Sequence, residues 1–521
     1  MRYSPRLFVP LFFFVLCGVV TWPSPAAHAT TPPNIIVILA DDMGRGDLSC
    51  YNPKSAWKTP HLDRLAREGM RFTDAHSGSS VCTPTRYGLL TGRYAWRSRL
   101  KNGVLHGFDP SLIEAGRMTV PSLLRAQGYR TAMVGKWHLG LDWEKRGTTK
   151  EDVDYRQPFK GGPLAHGFDQ FFGISASLDM PPYVYLRNDR AVSVPTRQIE
   201  AAQGTGMWRA GPIGDDFAHA EVQTQFIEET ERLIGDWGKE TTAAPFFLFL
   251  SLASPHTPIL PTAAFNGSTK TTVYGDFCAE VDAVVGRVLV ALEKSGRSRD
   301  TCVIFTADNG CSPAANLADL KAVGHDPQMG LRGAKADLFE GGHRVPFIAW
   351  WPGTVPEKTL NEDVICLTDL LATCAELTMP SLPADAGEDS VSLVPALLQQ
   401  PQTRPLRGAT VHHSINGSFA LRMSTWKLLL SPDSGGWSDP RPPKEGDPPS
   451  ALPPFQLYDL AIDPKEQTNV ADKYPAVVSR LGYELKRIIS SGRSTPGLPQ
   501  PVSWENWPQL SSLRQFSPVK P

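Results

Sequence analysis

The segment Cys82-Thr83-Pro84-Thr85-Arg86, followed by Leu90-Thr91-Gly92-Arg93, is the part of this 521-residue chain best equipped for chemistry. Pro84 fits the first turn of a helix that begins near Cys82. Arg86, four residues on, then lies one turn along the same face and can point back at position 82. The N-terminus of that helix adds a partial positive charge, which suits an anion. Two further pairs, Asp41-Asp42 and Asp308-Asn309, supply hard oxygen ligands of the kind that Ca²⁺ or Mg²⁺ takes.

Both pairs directly follow apolar runs, which brings in the elements that must hold them. Residues 34–40 read as a strand buried on both faces. Further strands are expected at 71–73, 129–135, 246–252, 302–306 and 345–351. Helices are expected from Pro60 to about Gly69 and over 120–127, 217–237 and 274–294. This alternation predicts an α/β fold with a mostly parallel central sheet sandwiched by helices. In such sheets ligands gather beyond the carboxyl ends of strands, which is where both acidic pairs fall. From about residue 405 the pattern changes to a hairpin over 409–422 and 426–430, a Pro/Gly-rich loop over 431–454 and a helix near 475–490. The expected organisation is a catalytic domain over 30–404, a smaller C-terminal α+β subdomain over 405–495 and a loosely ordered tail over 496–521.

Fifty-two basic and 53 acidic residues nearly cancel, so no global field points to nucleic acid or an anionic membrane. Residues 1–29 resemble an export signal: Arg2 and Arg6 precede an apolar run over 7–20, and Ala27-His28-Ala29 offers a cleavage site. The run is shorter than the roughly 20 residues that span a bilayer. The mature protein is therefore expected to be periplasmic or secreted, with no membrane segment. Seven cysteines remain after the signal, and setting Cys82 aside leaves six, which permits disulfides without fixing any pairing.

The landmarks, taken in order, resemble the type I, formylglycine-dependent sulfatases of the alkaline-phosphatase-like superfamily. They are Leu39-Ala40-Asp41-Asp42, the Cys82 motif, Gly135-Lys136-Trp137-His138-Leu139-Gly140, Ser254-Pro255-His256-Thr257-Pro258, Thr306-Ala307-Asp308-Asn309-Gly310 and Arg332-Gly333-Ala334-Lys335, with Glu340-Gly341-Gly342-His343-Arg344 beyond. The resemblance runs from about Ile36 to Tyr458. It implies that a formylglycine-generating enzyme oxidises Cys82 to an aldehyde, whose hydrate attacks sulfur and later expels sulfate. It also implies one cation, usually calcium with magnesium the other candidate, held by Asp41, Asp42, Asp308, Asn309 and the modified Cys82.

The same resemblance gives Arg86 the task of holding the aldehyde hydrate. It makes His138 the base that triggers sulfate release and His256 the acid for the leaving oxygen, with Lys136 and Lys335 on the sulfate. Substrate contact is expected of Lys136, His256 and Lys335, and also of Asp179, His412 and His413. The implied activity is hydrolysis of sulfate monoesters on a carbohydrate; the Trp/Tyr-bearing inserts and the run around His412 resemble bacterial enzymes acting on galactose-type sugars, which suggests 6-O-sulfated galactose or N-acetylgalactosamine. Two other readings stay open on sequence alone. One is a formylglycine-dependent phosphodiesterase or phosphonate hydrolase, and the other is an unmodified, inactive glycan-binding homologue.

Overall fold

The computed structural model describes residues 1, 32–240, 244–378, 381–444, 446–448, 450–500, 502–504 and 506–518. The expected export signal thus lies outside the described residues, apart from Met1. The strand Asn34–Ala40 is buried at every position. It takes the centre of a ten-stranded sheet, flanked in parallel by Phe246–Ser251 on one side and Thr301–Ala307 on the other. Arg130–Lys136 and Gln170–Ile174 extend the parallel part. On the other edge Phe347–Trp350 runs antiparallel and leads to Met70–Phe72. Continuous Val/Ile/Leu/Phe runs suit strands covered on both faces, where each buried large aliphatic side chain stabilises by about 1.5–3 kcal/mol.

The helices have readable boundaries. Thr272 caps Val273–Ser295 by accepting the Gly275 amide at 3.1 Å, and Gly296 ends that helix in the left-handed conformation (φ 69°). Cys82–Thr91 likewise ends at Gly92 (φ 64°), while its N-cap residue, Val81, offers no capping side chain. The first-turn amides of that helix therefore remain available to an anion.

The C-terminal region is a four-stranded antiparallel sheet, ordered Thr410–His413, Phe419–Met423, Trp426–Leu429 and Gln456–Asp459, with the helix Pro475–Ser490. The stretch read as one strand over 409–422 is two strands, because Gly417 (φ 89°) reverses the chain between them. The tail departs from expectation too. Leu510, Leu513 and Phe516 are buried in the core of this region, Phe516 against Gly482, so apolar contact orders it. Pro33–Pro521 fall within one compact unit. Among the described residues no helix is long and apolar enough to cross a membrane. All seven described cysteines are free.

Candidate active site

Five strand ends deliver the chemistry to one place. Asp41 and Asp42 follow Asn34–Ala40, Lys136 ends Arg130–Lys136 with His138 just beyond, and Asp308 and Asn309 follow Thr301–Ala307. Ser177 lies past Gln170–Ile174 and His256 past Phe246–Ser251. Asp42 (φ 67°) and His138 (φ 57°) adopt the left-handed backbone that Asp and His tolerate better than most residues, which turns the chain sharply at the strand end. Gly135, with φ 116°, is required where it stands: a Cβ there would lie 1.8 Å from the Ser251 carbonyl oxygen.

Cys82 is buried at the start of its helix with Sγ 3.6 Å from Asp41 Oδ1. Arg86 points back as its spacing suggests. Its guanidinium donates to Asp308 Oδ2 at 2.9 Å, to the Lys136 carbonyl at 3.2 Å and to Ser251 Oγ. Lys136 Nζ pairs with Asp41 and donates to Ser177 Oγ at 3.0 Å. Lys335 Nζ lies 2.7 Å from Asp42 Oδ1, and His256 Nε2 lies 3.6 Å from Asp42 Oδ2. Asn309 Nδ2 donates to Asp42 Oδ1 at 2.7 Å, and the Asp42 amide donates to Asp308 Oδ1 at 3.1 Å. The structure thus gathers Asp41, Asp42, Cys82, Arg86, Lys136, His256, Asp308, Asn309 and Lys335 into one network.

Protonation in this network follows from burial and neighbours. Burial pushes the Cys82 thiol up to about 12, against the pull of Lys136 and Lys335, so the sulfur is protonated at neutral pH. Asp308 is pushed up to about 7, first by burial and then by Asp41. Burial also works against Asp41, but Lys136 and its other cationic neighbours hold that carboxyl well below its usual range. His138 is held neutral by burial and by Lys136 and Arg86. Its Nε2 lies 2.7 Å from the Leu105 carbonyl oxygen, which assigns the proton there. Nδ1 is left as an unpartnered buried acceptor.

The donor set fits a hard divalent cation. Asp41, Asp42, Cys82 and His256 each present a ligand atom, all within 4.8 Å of one another. Asp308 and Asn309 join the same carboxylates, and Asn309 Oδ1 is buried without a hydrogen-bond partner. Two carboxylates crowded so that one is driven towards neutrality are the arrangement a cation relieves.

Several contributors carried no sequence signal. Ser177 Oγ bridges Lys136 Nζ and the His256 ring, 3.3 Å from Nδ1. Tyr274 donates to the Asp42 carbonyl at 3.2 Å and to Asp47 at 2.6 Å, and Asp47 in turn meets His325 at 2.8 Å. Asp179, buried, pairs with Arg209 and is held below its usual range, against burial, by His256 and Arg209.

His412 and His413 do not join this network. The His412 ring stacks on His343 at 3.7 Å, and His76 Nδ1 meets His343 Nδ1 at 3.0 Å. This cluster also holds Asp74, Glu340, Arg422 and Lys427. The His413 ring packs on Phe419, while its carbonyl accepts from the Ser80 amide and Ser79 Oγ, just ahead of the Cys82 helix. Both side chains are buried, in the strand Thr410–His413 of the C-terminal sheet.

A parallel α/β sheet whose carboxyl ends converge on one buried side chain, ringed by carboxylates, lysines and histidines, is the framework of an alkaline-phosphatase-like hydrolase of anionic esters. The sulfatase family model matches residues 33–380. The N-acetylgalactosamine-6-O-sulfatase of Bacteroides thetaiotaomicron is 31% identical over 88% of this chain and 93% of its own. The N-acetylgalactosamine-6-sulfatase of Rattus norvegicus is 34% identical over 77% of this chain and 73% of its own. A solved structure from work on glycosaminoglycan metabolism by Bacteroides thetaiotaomicron superposes with TM-score 0.75 at 30% identity, covering 88% of this chain and 99% of the other. The chain belongs to the sulfatase family and is a sulfuric ester hydrolase.

Proposed function

We propose that this chain is an exported enzyme that removes sulfate monoesters from a carbohydrate, 6-O-sulfated galactose or N-acetylgalactosamine being the substrate class. The relatives named above support the sugar, and the amino-terminal pattern supports export. The observation that carries the mechanism is the setting of Cys82: buried at an uncapped helix start beside Asp41, with its thiol pushed up to about 12. A protonated sulfur is a poor nucleophile at neutral pH. We therefore infer conversion of Cys82 to formylglycine by a generating enzyme during maturation. The hydrate of that aldehyde supplies the nucleophile and, later, the means of expelling sulfate.

Asp41, Asp42, Asp308, Asn309 and residue 82 would hold a cation, calcium or else magnesium, which when bound would supply positive charge beside the sulfate. Lys136 and Lys335 neutralise the remaining sulfate oxygens, which an anionic nucleophile requires. Arg86, clamped by Asp308, holds the residue 82 side chain. His256 donates a proton to the leaving sugar oxygen, with Ser177 orienting its ring. His138 takes a proton at Nδ1 when sulfate departs. Asp179 accepts a sugar hydroxyl.

Desulfation of galactose, N-acetylgalactosamine and glucosamine sulfates tests the reading. Release of 6-O-sulfate from a galacto-configured sugar is the expected result. Activity confined to a gluco-configured sugar overturns the substrate class.

A further inference from the structure

Of the oxygen ligands Asp41, Asp42, Asp308 and Asn309, Asp42 alone has a left-handed backbone, at φ 67°. A residue other than glycine stays in that region only where its surroundings hold it there. We propose that Asp47, Tyr274 and His325 are positioning residues: they fix the turn that aims the Asp42 carboxylate at the cation site, and so set affinity for the divalent ion without touching substrate. This rests on the cation reading above and adds what tunes that site.

Three separate elements meet behind Asp42. Asp47 closes the 3₁₀ turn Arg45–Asp47 and is fully buried. Its Oδ2 accepts the Gly44 amide at 2.7 Å and the Tyr274 hydroxyl at 2.6 Å, and its Oδ1 lies 2.8 Å from His325 Nε2. Among the described residues the His325 ring, and no lysine or arginine, lies within ion-pair distance of it. His325 Nδ1 receives the Ala56 amide at 3.3 Å, which leaves the ring proton on Nε2, facing Asp47. That ring stacks on Trp57 with centroids 3.7 Å apart, and the Trp57 indole donates to the Asp47 carbonyl at 3.0 Å. Tyr274 is buried in the first turn of the helix Val273–Ser295.

The Asp42 backbone is thereby gripped on both sides. Its amide donates to Asp308 Oδ1 at 3.1 Å, its carbonyl oxygen lies 3.2 Å from the Tyr274 hydroxyl, and the Gly44 amide two residues on is held by Asp47. The Gly46 amide then donates at 2.8 Å to the carbonyl of Pro327, two residues past His325. The carboxylate end needs this grip because other partners compete for it. Lys335 Nζ lies 2.7 Å from Asp42 Oδ1, which also accepts from Asn309 at 2.7 Å. With its backbone loosened, Asp42 can follow those partners away from the cation site. Among the described residues, the hydrogen bonds of Asp47, Tyr274 and His325 reach none of Cys82, Arg86, Lys136, His256 and Lys335, so their effect passes through the Asp42 turn. Removing a group that orients a metal ligand from behind weakens metal binding by about 10–100-fold.

The test is calorimetric titration of the full chain, stripped with a chelator, with Ca²⁺ and with Mg²⁺. Tyr274→Phe removes one oxygen and keeps the ring; it is expected to bind the ion about tenfold more weakly, and Asp47→Asn about tenfold or more. Tyr129→Phe is the control. It removes a buried hydroxyl of the same kind, bonded to the Pro33 carbonyl at 2.7 Å at the amino end of the sheet, and should leave metal affinity unchanged. In steady-state turnover of a sulfate ester, the ion concentration for half-maximal rate should rise about tenfold in Tyr274→Phe, with kcat at saturating ion within about twofold of wild type. Unchanged metal affinity in Tyr274→Phe, or an equal loss in Tyr129→Phe, overturns the positioning role and leaves the cation reading standing. Lost turnover that saturating ion fails to restore overturns it as well. A wild-type chain that takes up neither Ca²⁺ nor Mg²⁺ contradicts the cation reading and the proposal together.

Discussion

His256 and Asn309 carry the sharpest consequences at the scale of single residues. Because a sugar alkoxide leaves poorly, His256→Ala should lower turnover of a sugar sulfate by about 10²–10⁴ and of an activated aryl sulfate far less. Equal losses on both substrates would remove His256 as the proton donor. Asn309 Oδ1 is a buried acceptor with nothing to accept from, so Asn309→Ala should weaken metal affinity at least about tenfold, read as metal bound per chain. Most of this network was legible in the sequence because its members sit in contiguous motifs at the ends of apolar runs. Ser177, Ser251 and Asp47 were not, since a lone serine or aspartate in a loop has no spacing to mark it. For His412 and His413, expected to meet substrate, the packing of their rings on His343 and Phe419 in the interior is likewise marked by no spacing in the sequence.

Between elements, the parallel core tolerates little added volume. Gly135→Ala would place a methyl group against the Ser251 carbonyl at an unfavourable φ, and should cost more than about 3 kcal/mol in thermal or denaturant unfolding. A wild-type melting curve for this variant would contradict the strand packing described here. On the helix Val273–Ser295, burial pushes Glu280 up to about 7 from its usual 4.5, although it accepts the Thr262 amide at 2.8 Å. A raised carboxyl pKa means the folded state holds the proton more tightly. Its stabilising contribution is complete below pH 4.5 and is lost as pH rises to about 7. Glu280→Gln should therefore gain about 1–3 kcal/mol at pH 8 and almost nothing at pH 4. A gain independent of pH would show that charge is not its cause. The long buried strands and the helices were legible from hydrophobic period and capping residues. Short pieces such as Leu186–Arg187 and Arg190–Ala191 were not, because two residues carry no period and only the sheet edge they extend defines them.

Across the whole molecule, the C-terminal sheet is joined to the catalytic part by a buried charge cluster. Lys427 Nζ lies 3.0 Å from Glu340 Oε1 and 2.9 Å from Glu466, with all three side chains at 0% exposure. Lys427→Met removes the cation from buried Glu466 and leaves Glu340 only the more distant Arg344 and Arg422, and should destabilise by about 3–5 kcal/mol; an unchanged unfolding midpoint would contradict this joint. Such long-range pairing left no trace in the sequence, because Lys427, Glu340 and Glu466 share no motif or spacing. The central claim remains the maturation of Cys82, and peptide mass spectrometry of the chain purified from its natural host tests it most directly. Exchange of sulfur and two hydrogens for one oxygen predicts a Cys82 peptide lighter by about 18 Da. A peptide of unmodified mass from a sample that actively hydrolyses sulfate esters would contradict the account.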